Sequence, residues 1–284
     1  MTRLTFNCIG CGRLGSTISR LLVLKGLVQV GALSNQSPSS AKRARDFVQD
    51  GRSVLDFSAL PVADVTLIAT PDDCIESTCE DLAARGYFTS GHIVVHASGL
   101  LSCDVLSAAR AAGAAVGSIH PLMSFSDPDY CVSHFSGTHC ALEGDPAAVD
   151  LMRDWLELIG GVCFTVSSEK KARYHAGAVM ASNYLVTLAD MATTTLQESG
   201  LTKMQSKAVV MSLMSNSLGV LKQHATYQAA LTGPIQRGDI KTLQAHFEAL
   251  GVDHQACYRA LGQKTMRLTN HSALVKAELL ELFK

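Results

Sequence analysis

The sequence predicts an open α/β sheet, doubly wound and mostly parallel, followed by an all-α domain. Three observations carry this expectation. A glycine pattern, G-x-G-x-x-G, stands between a strand and a helix near the start of the chain. Strand and helix patterns then alternate as far as about residue 166. Beyond that point the periodicity is helical, punctuated by Gly and Pro. The expected domains are residues 1–166 and 167–284, and 284 residues suffice for two cores at about 100–200 residues per domain.

Residues 3–9 alternate as a strand does, and residues 13–25 carry Leu14, Ile18, Leu21 and Leu22 at helical spacing. Between them lie Gly10, Cys11, Gly12, Arg13, Leu14 and Gly15. In that order strand, glycines and helix form the fingerprint of a Rossmann-type dinucleotide site. Gly10 permits the tight turn, Gly12 lets the backbone approach a pyrophosphate, and Gly15 lets the helix lie close on the strand. Free N–H groups at the helix start then hold the phosphates, with Arg13 placed to add a charged contact. Further strands are expected at 27–33, 64–69, 92–96, 115–119 and 162–166. Helices are expected at 40–49, 73–85, 103–112 and 146–159.

The end of the second strand selects the cofactor. NAD enzymes usually place an Asp or Glu there for the ribose hydroxyls. This chain has Ser34 and Asn35 instead, with Lys42 and Arg43 nearby, so NADP is expected in preference to NAD. Ligands of such sheets sit outside the carboxyl ends of the strands. Ala69, Thr70 and Pro71 are placed to flank the adenosine and ribose, and His96, Ser98 and Gly99 the nicotinamide. His120 follows a later strand at the same edge and is expected to line the active site.

The second half reads as a long helix at 168–199, then helices at 203–222, 239–249, 254–269 and 272–283. On the long helix, at about 100° per residue, Lys171, His175 and Ser182 fall within about 40° of one another. Ala172, Ala176, Val179 and Val186 form an adjacent apolar face that includes Asn183. Hydride transfer at a C–O or C–N centre needs a proton relay at the heteroatom. Lys171 or His175 can move that proton, and Asn183 can orient a substrate carbonyl or carboxylate.

Composition narrows the classes. A net charge of −1 gives no basic field for nucleic acid or an anionic membrane, and no apolar run reaches the roughly 20 residues that span a bilayer. Cys8 and Cys11 form a C-x-x-C without a second pair, so no metal site is expected. The nine scattered cysteines suit a reducing compartment, and with no signal-peptide pattern at the start a cytoplasmic protein is expected.

The segments "CIGCGRLG", "IATPDD", "HASGL", "SIHPLMSF", "KKARYHAGAVMASNYL" and "LTGPIQRGD" span nearly the whole chain. Together they resemble dehydrogenases that join a Rossmann domain to a helical one: 6-phosphogluconate and β-hydroxyacid dehydrogenases, pyrroline-5-carboxylate reductases and ketopantoate reductases. More closely, the chain resembles a bacterial Rossmann-like family whose helical domain has no known function. The resemblance implies NADP-type binding and a homodimer made through the helical domain. In the β-hydroxyacid group a Lys and an Asn four residues later serve catalysis; Lys171 matches the first, but His175 stands where the Asn would be. His120-Pro121 is similar to a pair in prephenate dehydrogenases. Arg237 and Asp239 lie by a turn, as an anion contact or a turn-stabilising pair. The expected function is an NADP-dependent oxidoreductase acting on a small carboxylated keto, imino or hydroxy substrate. A non-catalytic dinucleotide-binding sensor or scaffold is the alternative, since a fold does not fix an activity.

Overall fold

The computed structural model describes residues 3–284. It divides into two compact units, the first ending at Ser182 and the second spanning Asn183–Lys284. In the first unit eight strands make one sheet: β1 (Leu4–Ile9), β2 (Val28–Ser34), β3 (Arg52–Val54), β4 (Val65–Ile68), β5 (Ile93–His96), β6 (Ala115–Pro121), β7 (His139–Gly144) and β8 (Val162–Thr165). Their order is β3-β2-β1-β4-β5-β6-β7-β8, and β6–β7 is the one antiparallel pair among the described residues. Helices α1 (Arg13–Leu24), α2 (Pro38–Val48), α3 (Asp72–Ala84), α4 (Ser107–Ala111), α5 (Pro128–His134), α6 (Pro146–Leu158) and α7 (Lys171–Ala181) complete the unit.

Alternation along each strand sorts the side chains to two faces. Phe6, Cys8, Val65, Leu67, Val95 and Ile119 pack with Ile18, Leu22, Val48, Met152 and Trp155, so α1, α2 and α6 cover that side. Ile9, Ile68, Val94 and Val116 face the other way, against Ile75, Cys79, Leu82, Leu106 and Ala109 of the segments around α3 and α4. A sheet covered on both faces is what a parallel, doubly wound arrangement requires.

Two strands escape the sequence pattern. β3 has only three residues, and β7 (HCALEG) is rich in small and polar residues, with Glu143 buried in the sheet. The long helix expected at 168–199 is broken at Ser182, whose hydroxyl donates to the Ala178 carbonyl at 2.8 Å. Such back-bonding competes with the helix ladder. The compact units divide at this break and not at 166. Residues 167–182 remain with the sheet because Lys171 is buried and bonded there. The apolar face read across the break is not buried: Ala172 and Ala176 are exposed and Val186 is 71% exposed.

The second unit holds α8 (Asn183–Glu198), α9 (Lys203–Gln223), α10 (Tyr227–Ala230), α11 (Pro234–Arg237), α12 (Ile240–Ala249), α13 (Val252–Thr265) and α14 (Ala273–Leu282). A capping box of Thr202 and Gln205 starts α9. Leu243, Phe247, Met266, Leu279 and Phe283 form the core of this unit. Arg237 Nε donates to Asp239 at 2.8 Å, so that pair stabilises its own turn. Among the described residues no helix is long and apolar enough to cross a membrane.

Phe6 packs edge-on against Trp155, the chain's single tryptophan, with ring centroids 6.2 Å apart. Phe6→Ala is therefore expected to lower stability by about 3–5 kcal/mol. Urea titration followed through Trp155 emission measures this, and a loss below about 1 kcal/mol would contradict the packing described.

Candidate functional site

The strand order reverses direction between β1 and β4, which opens a crevice at their carboxyl ends. The glycine turn lies there. Gly10 has φ +76, and a Cβ on it would sit 2.6 Å from the Thr70 nitrogen and 2.7 Å from the Ala69 carbonyl carbon. A Cβ on Gly15 would meet Cys8 Sγ at 2.9 Å. These two glycines let α1 and the β4 end close on β1. Gly12 differs, because a Cβ there would find open space with its nearest neighbour at 3.9 Å. It occupies the N-cap of α1 without a side-chain cap, so the first N–H groups of the helix face that space. Arg13 beside it is exposed and Leu14 half-buried.

Cys11 shapes this cradle through its backbone. Its N–H donates to the Ser34 carbonyl at 3.2 Å, alongside that of Gly10 at 2.9 Å, and its carbonyl accepts from Asn35 Nδ2 at 3.1 Å. Ser34 is buried, whereas Asn35 is half-buried with an Oδ1 that lacks a protein partner. Thr70 Oγ1, on the other side of the turn, is likewise buried and unpartnered. Two unpaired buried acceptors flanking an uncapped helix start and a space that a Cβ would enter fit the pyrophosphate and ribose of a dinucleotide. Just past Asn35, the hydroxyls of Ser37, Ser39 and Ser40 cluster at the start of α2, and Lys42 and Arg43 are exposed on that helix. No carboxylate stands at the end of β2.

The loop after β5 is built from inside. His96 is fully buried; its Nδ1 accepts from the Ser98 N–H at 3.1 Å, and its Nε2 lies 3.1 Å from the Ser102 carbonyl. A carbonyl only accepts, so Nε2 carries the proton and the tautomer is fixed. Burial, then the Lys171 charge, pushes the His96 pKa down to about 4. His96 thus shapes the loop and does not present a ring to a ligand. Ser98 is equally engaged: its hydroxyl donates to Asp72 at 2.7 Å and accepts from the Leu100 and Leu101 N–H groups.

Lys171 is buried too. Its Nζ donates to Ser118 Oγ at 2.6 Å and to the Ser98 carbonyl at 3.2 Å, and it lies 3.6 Å from Glu143 Oε2. The two charged side chains are 4% and 5% exposed. Glu143 also accepts from Ser118 and Ser168 hydroxyls and from the Cys103 N–H. Burial by itself raises the Glu143 pKa, but bonds from Ser168 and Cys103, the Lys171 charge and the Ser118 bond outweigh it and hold the carboxyl below its ordinary value. Burial pulls Lys171 below its own ordinary value, against the attraction of Glu143. With its ammonium enclosed by three partners, Lys171 is not the open proton donor that its place in the sequence suggests.

One helical turn on, Tyr174 and His175 meet His120. The Tyr174 hydroxyl lies 2.7 Å from His120 Nδ1, and the two histidine rings are 5.6 Å apart. A Cβ on Gly99 would stand 2.7 Å from both the His120 and the His175 rings, so only glycine lets them converge on this loop. Burial, then His175 and Lys171, pushes the His120 pKa down to about 4, and burial pushes Tyr174 up to about 12. At neutral pH the pair is an uncharged imidazole facing an uncharged phenol. His120, His175 and Gly99 are therefore brought together. Asn183 is an exposed residue at the start of α8 in the second unit, no longer on the helix of Lys171 and His175.

Sequence reasoning misses Tyr174, Ser118, Glu143 and Asp72. Two signals were present: Ser118 precedes His120 by two in one strand, and Tyr174 follows Lys171 by three on one helix, so each pair shares a face. Glu143 gives no such signal.

Breaking the ion pair is costly because it leaves a buried charge alone. Lys171→Met is expected to lower the unfolding free energy by about 3–5 kcal/mol, and Lys171→Met with Glu143→Gln to recover part of that loss. Urea denaturation of both variants decides it; equal losses would contradict the pairing. Acid should destabilise the first unit as well. His92, His96 and His120 all have pKa values lowered to about 4 in the folded chain. Unfolded histidine binds its proton below about 6.5, so stability falls as pH drops from 6.5 toward 4. The slope is up to about 1.4 kcal/mol per pH unit for each ring that stays neutral. Denaturation midpoints at pH 7.5, 6 and 5 test this, and a flat profile would refute it.

Comparison with known proteins agrees with this architecture. Residues 1–121 match the model of a Rossmann-like domain, and residues 138–265 match DUF2520, a domain of unknown function. No curated protein matches the chain by sequence. Among solved structures, protein TM1727 from Thermotoga maritima is 22% identical with a TM-score of 0.66, over 98% of this chain and 96% of that one. BF3122 from Bacteroides fragilis, assigned as an NADP oxidoreductase, is 16% identical with a TM-score of 0.73, over 99% and 98%. A pyrroline carboxylate reductase from Plasmodium falciparum, crystallised with NADP bound, is 11% identical with a TM-score of 0.61, over 100% and 97%. At these identities the likeness is one of fold. The chain thus matches a Rossmann-like model over its first strands and helices and DUF2520 from β7 through most of the second unit.

Proposed function

We propose that the protein is an NADP-dependent oxidoreductase acting at a keto, imino or hydroxy centre of a small substrate. The observation that carries this reading is the convergence of His120 and His175 on Gly99, with Tyr174 bonded to His120, at the same sheet edge as an uncapped glycine cradle. A sensor that only binds the nucleotide has no need of a hydrogen-bonded imidazole at that place.

Gly10, Gly12 and Gly15, with the start of α1, would hold the pyrophosphate, and Asn35 Oδ1 and Thr70 Oγ1 would take the hydroxyls they now lack. The serines at the start of α2, with Lys42 and Arg43, would receive a 2′-phosphate. The bound nicotinamide supplies or accepts the hydride. The chain's own part is the proton. Tyr174, which keeps its phenolic proton, donates to His120 Nδ1, so Nε2 carries a hydrogen on the Gly99 side. As electron density grows on the substrate heteroatom, that N–H stabilises it and yields its proton while Nδ1 takes the Tyr174 phenolic proton, so His120 ends as the other neutral tautomer and the phenolate is reprotonated from solvent. A neutral imidazole suits this role, since it donates without first having to be protonated. For the opposite direction the other tautomer accepts the proton at Nε2.

A carboxylate on the substrate is part of the reading drawn from resemblance. Lys171 is neutralised by Glu143, so it would not be the residue that meets it. In the second unit, Met204, Met211 and Leu218 leave an exposed apolar stripe along one side of α9, and Leu213 on its opposite side lines a cavity of about 680 Å³ with residues of α8, α12 and α13. A second copy of the chain is the proposed occupant, giving a homodimer through the helical domain. The nine free thiols suit the reducing cytoplasm.

Calorimetric titration with NADPH and NADH tests the cofactor; equal or tighter binding of NADH would overturn the preference. On a substrate found by panel screening, His120→Ala should lower kcat by about 10²–10⁴-fold. The acid limb of the wild-type pH profile should lie near 4, where His120 protonates, and not near 6.5. An unchanged rate in His120→Ala would remove the assignment.

A further inference from the structure

Lys171 occupies the position from which the β-hydroxyacid resemblance would have a lysine act on the substrate, and the geometry directs it elsewhere. We propose that Lys171 and Glu143 form a positioning pair: the buried ammonium acts through Tyr174 and the Ser98 loop to set His120, and does not exchange a proton with the substrate. This deepens the oxidoreductase reading and rests on it for the role of His120, though the contacts themselves do not.

Each donor of Lys171 points inward. Ser118 Oγ, the Ser98 carbonyl and Glu143 Oε2 surround Nζ, at 2.6, 3.2 and 3.6 Å. An ammonium has three N–H donors and no acceptor; two are bonded to Ser118 and Ser98, and the Glu143 carboxylate neutralises the charge from 3.6 Å. Lys171 is also the one buried residue of α7. Tyr174 and His175 follow it by three and four residues, the spacing that places side chains on one face of a helix. Fixing Nζ therefore fixes the rotation and height of α7, and with them the Tyr174 hydroxyl against His120 Nδ1. The same ammonium pins the carbonyl of Ser98, the residue before the glycine on which both histidine rings converge. Glu143 completes the device from three sides. It is paired across the sheet with Ser118, two residues before His120, and it holds the Cys103 N–H and the Ser168 hydroxyl just upstream of α7.

The role is read without a substrate, from the tautomer of His120. Full-length protein labelled with ¹⁵N in histidine gives long-range ¹H–¹⁵N correlations for each ring, assigned with His120→Gln. In the wild type, with no substrate bound, His120 should rest in one dominant tautomer, protonated at Nε2, with the Tyr174 phenol donating to Nδ1. The charge-neutral variant Lys171→Met/Glu143→Gln should lose that pattern and show exchange-averaged nitrogens. Affinity for 2′,5′-ADP, which reports the adenosine and 2′-phosphate end of the cofactor site, should stay within about twofold. Tyr174→Phe should reproduce the His120 signature with Lys171 in place. If the double variant does not fold, Ser118→Ala, which removes the shortest contact of Nζ, should move the His120 signals in the same direction. The proposal is overturned if His120 keeps its single tautomer in Ser118→Ala and in the folded double variant. It is equally overturned if, on a working substrate, Lys171→Met/Glu143→Gln removes the basic limb of the pH profile while the His120 spectrum stays native, for Lys171 would then be the acid. Failure of the oxidoreductase reading would appear separately, as wild type that binds neither 2′,5′-ADP nor NADPH.

Discussion

Between the antiparallel strands β6 and β7 and the start of α7, an ammonium and a carboxylate share a space almost closed to water. Isolated, either charge would be strongly disfavoured there. Together, and with three hydroxyl or amide donors on the carboxylate and two oxygens on the ammonium, they hold four segments of chain in one register. Helix α7 depends on them most. Its other residues are exposed or half-buried, so apolar packing does not define how it lies on the sheet. Everything attributed to His120 follows from that docking.

The glycines do complementary work at the two ends of the cleft. At one end, Gly10 and Gly15 remove the side chains that would separate α1 and the β4 end from β1. At the other, Gly99 removes the one that would separate two imidazoles. Of the three glycines in the turn, only Gly12 faces open space, which distinguishes a position vacant for a ligand from positions vacant for the protein itself. The same G-x-G-x-x-G string thus contains two kinds of glycine, separable only once the distances are known.

That distinction marks how far the sequence can be read. Local order was legible: the alternation at 3–9, the glycine turn and the end of β5 at His96 lie where the pattern puts them, whereas β4 ends at Ile68 and His120 falls inside β6 and not after it. Period-2 and period-3.6 patterns depend on neighbours a few residues apart. β7 was not legible, because a strand of His, Cys, Ala, Leu, Glu and Gly has weak β-propensity and owes its place to β6 and β8. Glu143 was lost with it. Without Glu143, Lys171 reads as an open cation on a helix, and the inference that it donates a proton follows naturally. The helix break at Ser182 was illegible for a related reason, since a serine bonding back to Ala178 is chosen by tertiary context over an unbroken helical pattern.

The electrostatics of the cleft bind these points together. His120 has His175 and Lys171 near it, both lowering its proton affinity, with Asp72 opposing them and burial outweighing all three. An open lysine at that place would leave a net positive site and an imidazole unable to accept a second proton. Glu143 cancels much of the Lys171 charge, so His120 is kept neutral chiefly by its apolar surroundings and is free to use either nitrogen according to what Tyr174 does. The buried carboxylate therefore allows one residue to anchor the helix and another to handle the proton. A lysine asked to do both would have to leave its partners at the moment of transfer, and α7 would lose its one buried anchor.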